Sequence, residues 1–393
     1  MYKRKIEREC SNHNNRLRNV KHKSVFKADD FLHTIDGNIL ITSGTQNIRN
    51  DFIIKSILKS KQTSNHPVIV LSNSNKLQED LISLAKNGSI GRLIASSDVF
   101  KNYDVFYNMG MNLIADYFSA VALEKGYRDT SELHDYIGAF IRILQTQSPV
   151  TLSSMLAFSK NTDAMIAKIA VDNGYVNEQE ILMSSGKGGT HFRRLLNTVY
   201  NAFCNLTTED CATKFNITTA VDTNCVTYIN TNSPNYELLS LYFMFELKQA
   251  VHKQFTVILD ECSLMNNPEL LKFVDLLKQK SNVRTIVSVA NVMSLPSEDK
   301  LKNFTKKVIY LHGEMPPNDT QLVLNDLGSY AHFDATSSQG TPPNLFFSFL
   351  KSENKGITPY SRAKILVEEE IGNDVVLQGH NGSEIIVARR FVI

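Results

Sequence analysis

Phe255-Thr256-Val257-Ile258-Leu259-Asp260-Glu261 is the stretch on which the reading of the fold turns. Its first five residues are apolar or β-branched and do not alternate with polar ones. That pattern fits a strand covered on both faces of a parallel sheet. Two carboxylates follow at its C-terminal end, where ligands sit in parallel α/β sheets. The arrangement is that of a Walker B element. Asp260 would hold a Mg2+ shell, and Glu261 would orient or deprotonate an attacking water. A strand that merely ends in a solvated acidic turn has the same local sequence, so the surroundings decide.

Working outward, residues 38–42, 67–71, 225–229, 285–289 and 308–311 have the same continuous apolar character. Helical spacing follows most of them. Phe52, Ile53, Ile57 and Leu58 come after the first, and Leu270, Leu271, Val274 and Leu277 come after 255–259. Strand–helix alternation predicts an α/β fold with a mainly parallel sheet. Residues 106–210 depart from this pattern and read as helix throughout. Leu133, Ile137, Phe140, Ile141 and Leu144 mark one apolar face, and Phe192, Leu195, Leu196, Val199 and Phe203 mark another. Breaks fall at 148–149, 172–174 and 184–189. An all-α domain inserted into the core is therefore expected. Near the end, residues 340–343 form a loop, and 374–378 and 385–392 form two strands around a turn at 379–382. The expected organisation is a basic N-terminal arm (1–30), the first part of the core (31–105), the helical insertion (106–215), the second part of the core (216–330), and a C-terminal extension with a strand pair (331–393).

Composition sets outer limits. The chain has 393 residues, of which 42% are hydrophobic and 21% charged, which is ordinary for a soluble globular protein. Cys10, Cys204, Cys211, Cys225 and Cys262 form no C-x-x-C pair, which points to reduced thiols in a cytoplasm and away from zinc. No apolar run approaches the ~18 residues of a membrane span, and no signal-peptide h-region is evident. A cytoplasmic protein is expected, peripheral to the membrane only through partners. Residues 1–27 carry nine Lys/Arg (among them Lys3, Arg4, Lys5, Arg8, Arg16 and Arg18) against Glu7 and Glu9, a net +7. The whole chain is +2, so the remainder is 2 − 7 = −5. Such an arm suits a polyanion, either nucleic acid or a membrane surface, or it is a solvated leader.

A Walker B strand implies a phosphate-binding loop after an earlier strand. The candidate is Ser43-Gly44-Thr45-Gln46-Asn47-Ile48-Arg49-Asn50. A working loop needs glycines that let backbone N–H groups turn inward, a Lys for the phosphates and a Ser/Thr for Mg2+. Here Gly44 is the only glycine. Strand-to-strand alignment puts Ser43 at the first glycine, Ile48 at the second, Arg49 at the Lys and Asn50 at the Ser/Thr. A Cβ at Ile48 crowds the approach, and a planar guanidinium does not replace a compact ammonium. Thr45 lies within the same loop. A second glycine-rich stretch, residues 184–190, opens a helix. It reads as a flexible loop, with contact to DNA phosphates through Lys187, Arg193 and Arg194 as the alternative. Asn291, at the end of the strand after Walker B, is placed either to sense a γ-phosphate or to cap a turn.

The order of these parts resembles the FtsK/HerA superfamily, and within it the cytoplasmic portion of type IV coupling proteins, the TraG/TraD-like conjugative DNA-transfer ATPases. The resemblance spans residues 35–393 and is carried most by 257–261 together with 287–295. Asn318-Asp319-Thr320 with Leu327-Gly328, and Ser361-Arg362-Ala363 with Glu369-Glu370-Ile371, resemble later family elements. The resemblance implies a RecA-like P-loop core, ATP and Mg2+ as cofactors, DNA and other conjugation or secretion components as partners, and a ring, hexameric in such motors. Carried over residue by residue, the phosphate-loop Lys and Ser/Thr fall on Arg49 and Asn50. The γ-phosphate-sensing Gln falls on Asn291, and the arginine finger falls near Lys280. Asp260 and Glu261 match the family, whose transmembrane helices have the basic arm in their place. These departures weigh against turnover more than against fold. The expected function is a degenerate coupling-protein-like ATPase, a component of a DNA-transfer or mobile-element system that binds nucleotide weakly or not at all. Two alternatives stay open: a slow ATP-driven DNA translocase using Arg49, and a non-enzymatic nucleic-acid-binding or scaffold module.

Overall fold

The computed structural model describes residues 20–27, 32, 38–94, 103, 105–203, 216–231, 236–261, 272–273, 275–277, 279–280, 282–295, 304, 306–310, 329–337, 353–361, 375–378, 385–388 and 391–392. Along the chain come strands β1 (Val20–Lys23), β2 (Phe26–Lys27) and β3 (Ile39–Thr42), then helix α1 (Gln46–Ser64), β4 (Val68–Ser72), α2 (Asn75–Lys86) and β5 (Leu93–Ile94). Six helices follow: α3 (Met111–Glu124), α4 (Ser131–Gln145), α5 (Leu152–Phe158), α6 (Asp163–Asp172), α7 (Val176–Ser184) and α8 (Gly188–Phe203). The chain continues with α9 (Ile217–Ala220), β6 (Val226–Asn230), α10 (Tyr236–Gln249), β7 (Phe255–Asp260), β8 (Val283–Val289) and β9 (Lys306–Tyr310). It closes with β10 (Ser329–Ser337), β11 (Glu353–Ser361), β12 (Val375–Gln378), β13 (Ile385–Ala388) and β14 (Phe391–Val392). This is an α/β, RecA-like core with an inserted all-α region and a small C-terminal β element.

The chain divides into two compact units, residues 1–52 with 288–393 and residues 53–287. In the first unit the strand order is β1-β13-β12-β9-β3. Strands β3 and β9 are parallel, with Ile41 opposite Val308. Strand β12 runs antiparallel to both β9 and β13. The expected terminal strand pair therefore exists and also joins a sheet with β9, which the sequence did not reveal. The last residues of the basic arm are strands too: β1 pairs in parallel with β13, and β2 with β14. Strands β10 and β11 form an antiparallel ladder from Ser329↔Ser361 to Ser337↔Glu353 that the sequence reading missed. Residues 340–343 and 379–382, read as a loop and a turn, lie outside the described residues, as do 318–320, 327–328 and 362–371.

In the second unit the order is β7-β4-β6-β5, all parallel. Every residue of β4 and β7 is buried, as continuous apolar runs require. Helix α4 is the centre of the helical region and packs against α3, α5, α6, α7 and α8. All ten residues of the two faces read from periodicity are buried. Phe106, Phe118, Phe140 and Phe192 make ring contacts at their centre, with Phe140 and Phe192 4.8 Å apart. Chain breaks at 148–149 and 172–174 separate α4 from α5 and α6 from α7.

Two residues of the glycine-rich stretch read as a flexible loop are helical and packed. Gly188 and Gly189 are buried in the first turn of α8. A Cβ on Gly188 would lie 3.1 Å from the Tyr136 Cβ, and one on Gly189 would lie 2.7 Å from Asp163 Oδ2. The glycines let α8 approach α4 and α6 closely, as small residues do at helix contacts.

Candidate functional site

The loop after β3 belongs to the first unit. Ser43 and Gly44 both adopt positive φ, 64° and 68°. Helix α1 begins at Gln46, so three residues, 43–45, separate strand from helix. In the glycine–lysine loop pattern six positions separate the first glycine from the lysine, and here Gln46 to Ile48 are already helical. Arg49 therefore sits on the first turn of α1 and reaches back. Its Nη1 donates to the carbonyl oxygens of Ser43 (3.2 Å) and Gly44 (2.8 Å). Arg49 and Asn50 are buried, while Thr45 is exposed and its hydroxyl accepts weakly from the Ile48 N–H (3.4 Å). Tyr310 of β9 closes the other side, since a Cβ on Gly44 would fall 2.8 Å from its Cβ. Burial, then Asp51, pushes the Tyr310 hydroxyl up, with Arg49 opposing.

Asp260 belongs to the second unit, where it ends β7 fully buried. It lies opposite Ser72, the last residue of β4. Ser72 Oγ donates to Asp260 Oδ2 at 2.7 Å and accepts from the Ser74 N–H at 3.0 Å. Tyr228 of β6 donates to the Ser74 carbonyl at 2.7 Å. Burial raises its hydroxyl to about 12, the Ser72 hydrogen bond opposes that rise, and the Asp260 charge adds to it. Ser74 also caps α2 through the Leu77 N–H at 3.2 Å. Glu261 follows with φ 46°, a left-handed conformation that costs a non-glycine residue about 1 kcal/mol.

Lys280 is exposed just before β8, in the second unit. Asn291 is exposed in the first unit, and its carbonyl accepts from the Ser294 N–H (3.1 Å) of a short 3-10 turn. Lys187 and Arg194 are exposed at the start of α8. Arg193 is engaged within the helical region: Nη2 pairs with Asp163 Oδ1 at 2.5 Å, and Nε donates to the Ser159 carbonyl at 3.0 Å. Tyr136 donates to the same Asp163 oxygen at 2.7 Å. Arg193→Ala is expected to lower the urea-unfolding stability by about 2 kcal/mol, because the hydrogen bonds to a charged group are lost. Arg194→Ala should change it by less than ~0.5 kcal/mol. Equal losses would show that the Asp163 cluster holds nothing together. Lys3, Arg4, Lys5, Arg8, Arg16 and Arg18 lie outside the described residues.

Sequence reading missed Ser72, Tyr228 and Tyr310. Ser72 meets Asp260 across 188 positions, and only its place at the end of an apolar run marks it. In the first unit Arg49 donates to the Ser43 and Gly44 carbonyls, and no second glycine follows Gly44 before it. In the second unit Asp260 accepts from a serine of its own sheet. Among the described residues, no group of three or more His, Cys, Asp or Glu is placed to hold a metal ion. No described helix is long and apolar enough to cross a membrane. Cys225 is buried and outside any disulfide, and the other four cysteines lie outside the described residues.

No family model matches the chain, and no curated protein matches it in sequence. Solved structures do match in fold. The bacterial conjugative coupling protein TrwBdeltaN70, in a trigonal form with sulphate, superposes with a TM-score of 0.57 at 11% identity, covering 89% of this chain and 84% of that one. Its unbound monoclinic form gives 0.55 at 11% identity, covering 89% and 83%. The plasmid coupling protein TrwB with the GTP analogue GDPNP gives 0.52 at 12% identity, covering 89% and 84%. At these identities the likeness establishes the fold: this chain is built as those coupling proteins are.

Proposed function

We propose that this chain is a coupling-protein-like P-loop protein of the FtsK/HerA type, a component of DNA transfer that binds nucleotide weakly or not at all. The observation that carries the reading is the closed loop at 43–45. The cation aligned with the phosphate-binding lysine, Arg49, instead holds the Ser43 and Gly44 carbonyls, and the helix starts early. An anion cradle needs N–H groups turned inward, and a guanidinium bound to carbonyls holds the opposite polarity at that point.

The fold supports the rest. The coupling proteins that share it have been crystallised with sulphate and with a GTP analogue. By analogy, the partners are DNA and other conjugation or secretion components, assembled around a ring of copies of this chain. Within this reading Asp260 and Glu261 are retained from an ATPase, while the γ-phosphate sensor aligns in sequence with Asn291 and the arginine finger falls near Lys280.

The test is Mg-ATP binding and DNA-stimulated hydrolysis by the full chain, beside Glu261→Gln and Arg49→Lys. No saturable binding is expected below ~1 mM, and no hydrolysis above the Glu261→Gln level. Hydrolysis by the unaltered chain that disappears in Glu261→Gln would overturn the reading in favour of a slow translocase.

A further inference from the structure

Charge is not spread evenly over the second unit. The parallel strands β5, β6, β4 and β7, with the start of β8 beside β7, begin along one edge, and the segments that lead into them are 86–92, 222–225, 59–67, 251–255 and 279–284. Together these hold seven Lys/Arg (59, 61, 86, 92, 253, 280 and 284) and one acid, Asp222. The edge is therefore 7 − 1 = +6. Residues 53–287 hold 22 Lys/Arg and 22 Asp/Glu, so the rest of this unit sums to 0 − 6 = −6.

Several contacts show that these segments lie side by side. Lys61 Nζ donates to the Asn224 carbonyl, and the Val226 N–H donates to the Arg92 carbonyl at 3.0 Å. Asn282 Nδ2 bridges the Val251 and Lys253 carbonyls at 3.1 and 2.6 Å, and Arg284 Nη1 reaches Ser60 Oγ at 3.4 Å. Asp222 is taken by Lys253 at 2.7 Å. Burial lowers the pKa of His66, and the charges of Arg284 and Lys61 lower it further, as expected in a positive field. Basic residues at helix C-termini complement the helix dipole, which accounts for Lys61 and Lys86. It does not account for Arg92, Lys280 and Arg284, which lie outside the described helices.

We propose that this N-terminal strand edge of the second unit is a docking surface for the phosphate backbone of nucleic acid. Five strands at about 4.8 Å spacing give a row roughly 20 Å long, enough for several successive phosphates. Among the described residues, none of the large hydrophobics exposed on this unit (Leu123, Met165, Val171, Val176 and Met183) lies in these segments. A lipid surface would favour apolar side chains beside the cations. The surface sits at the opposite ends of the strands from Ser72 and Asp260, so it does not require nucleotide at those residues.

The inference shares with the proposed function only the expectation of a nucleic-acid partner. It is tested on the full chain by fluorescence anisotropy with a 20-nucleotide single-stranded DNA across a salt series. The variant Lys86→Gln/Arg92→Gln/Lys280→Gln alters three exposed side chains and should keep the unfolding midpoint. It is expected to weaken binding about tenfold or more and to lower the log–log salt slope by about 2, at ~0.7 per phosphate. A charge-matched control in the helical region, Lys125→Gln/Lys160→Gln/Lys168→Gln, should change affinity less than about twofold. An edge variant that binds like the unaltered chain, with the same slope, overturns the edge while leaving the proposed function standing. Absence of DNA binding by the unaltered chain overturns both. Binding to phosphatidylserine vesicles but not to the oligonucleotide overturns it in favour of lipid.

Discussion

Glu246→Ala is expected to destabilise the second unit by about 4 kcal/mol. Glu246 is a buried carboxylate within the mainly apolar stretch Leu238–Leu247 of α10. It accepts from the Tyr103 hydroxyl and from the Ile217 N–H at 2.8 Å, with further hydrogen bonds from Thr218 N–H and the Tyr242 hydroxyl. Tyr242 in turn accepts from the Phe106 N–H at 2.8 Å. The carboxylate thus ties the chain entering the helical region, at 103–106, to the chain leaving it, at α9. Alanine leaves these buried donors without their acceptor and opens a cavity, and each lost partner costs roughly 1–3 kcal/mol.

The same group gives stability a definite pH dependence. Burial raises Glu246 from 4.5 to about 7, against the hydrogen bonds that lower it. The folded state therefore holds the proton more tightly than the unfolded chain. This contribution is fully present below the unfolded pKa and is lost as pH rises through the folded one. Between pH 4.5 and 7, unfolding free energy should fall with rising pH by an amount on the order of 3 kcal/mol from this residue. Glu246→Gln keeps the shape and removes the titration, so its profile should be flatter over that window. Urea titrations at several pH values check both points. A Glu246→Gln profile parallel to that of the unaltered chain would show that the dependence arises elsewhere.

Gly44→Ala is expected to cost about 3 kcal/mol. Left-handed backbone at φ 68° accounts for about 1 kcal/mol of that. The remaining ~2 kcal/mol comes from overpacking, because the new Cβ would meet the Tyr310 Cβ at 2.8 Å. Tyr310→Ala keeps that atom and should not rescue the variant. Gly88→Ala is the matched control, with φ 78° but nothing within 4 Å of the new Cβ, so it should lose only about 1 kcal/mol. Equal losses at the two positions would mean that β9 does not press on the loop.

Much of the architecture was legible in the residues. Each continuous apolar run became a buried strand within one or two residues of its expected limits, and both helical faces in the insertion are core. Asp260 and Glu261 stood out because a strand end with two carboxylates is a local pattern. Glu246 carried a signal that went unused, a single acid in the apolar run Leu238–Leu247 of α10. Gly188 and Gly189 misled because a glycine pair looks the same whether it frees a loop or admits a neighbouring helix.

What the sequence determined by itself was what local chemistry controls: which segments are buried on both faces, which repeat at helical spacing, and where a strand ends in acids. Side-chain type and period are sufficient for those. The tertiary structure alone decided that Arg49 closes its own loop, that Ser72 meets Asp260, that β12 pairs with β9, and that scattered lysines and arginines line one edge. Each of these rests on strand order or on a three-dimensional approach, set by the packing of the whole chain rather than by the identity of any one stretch.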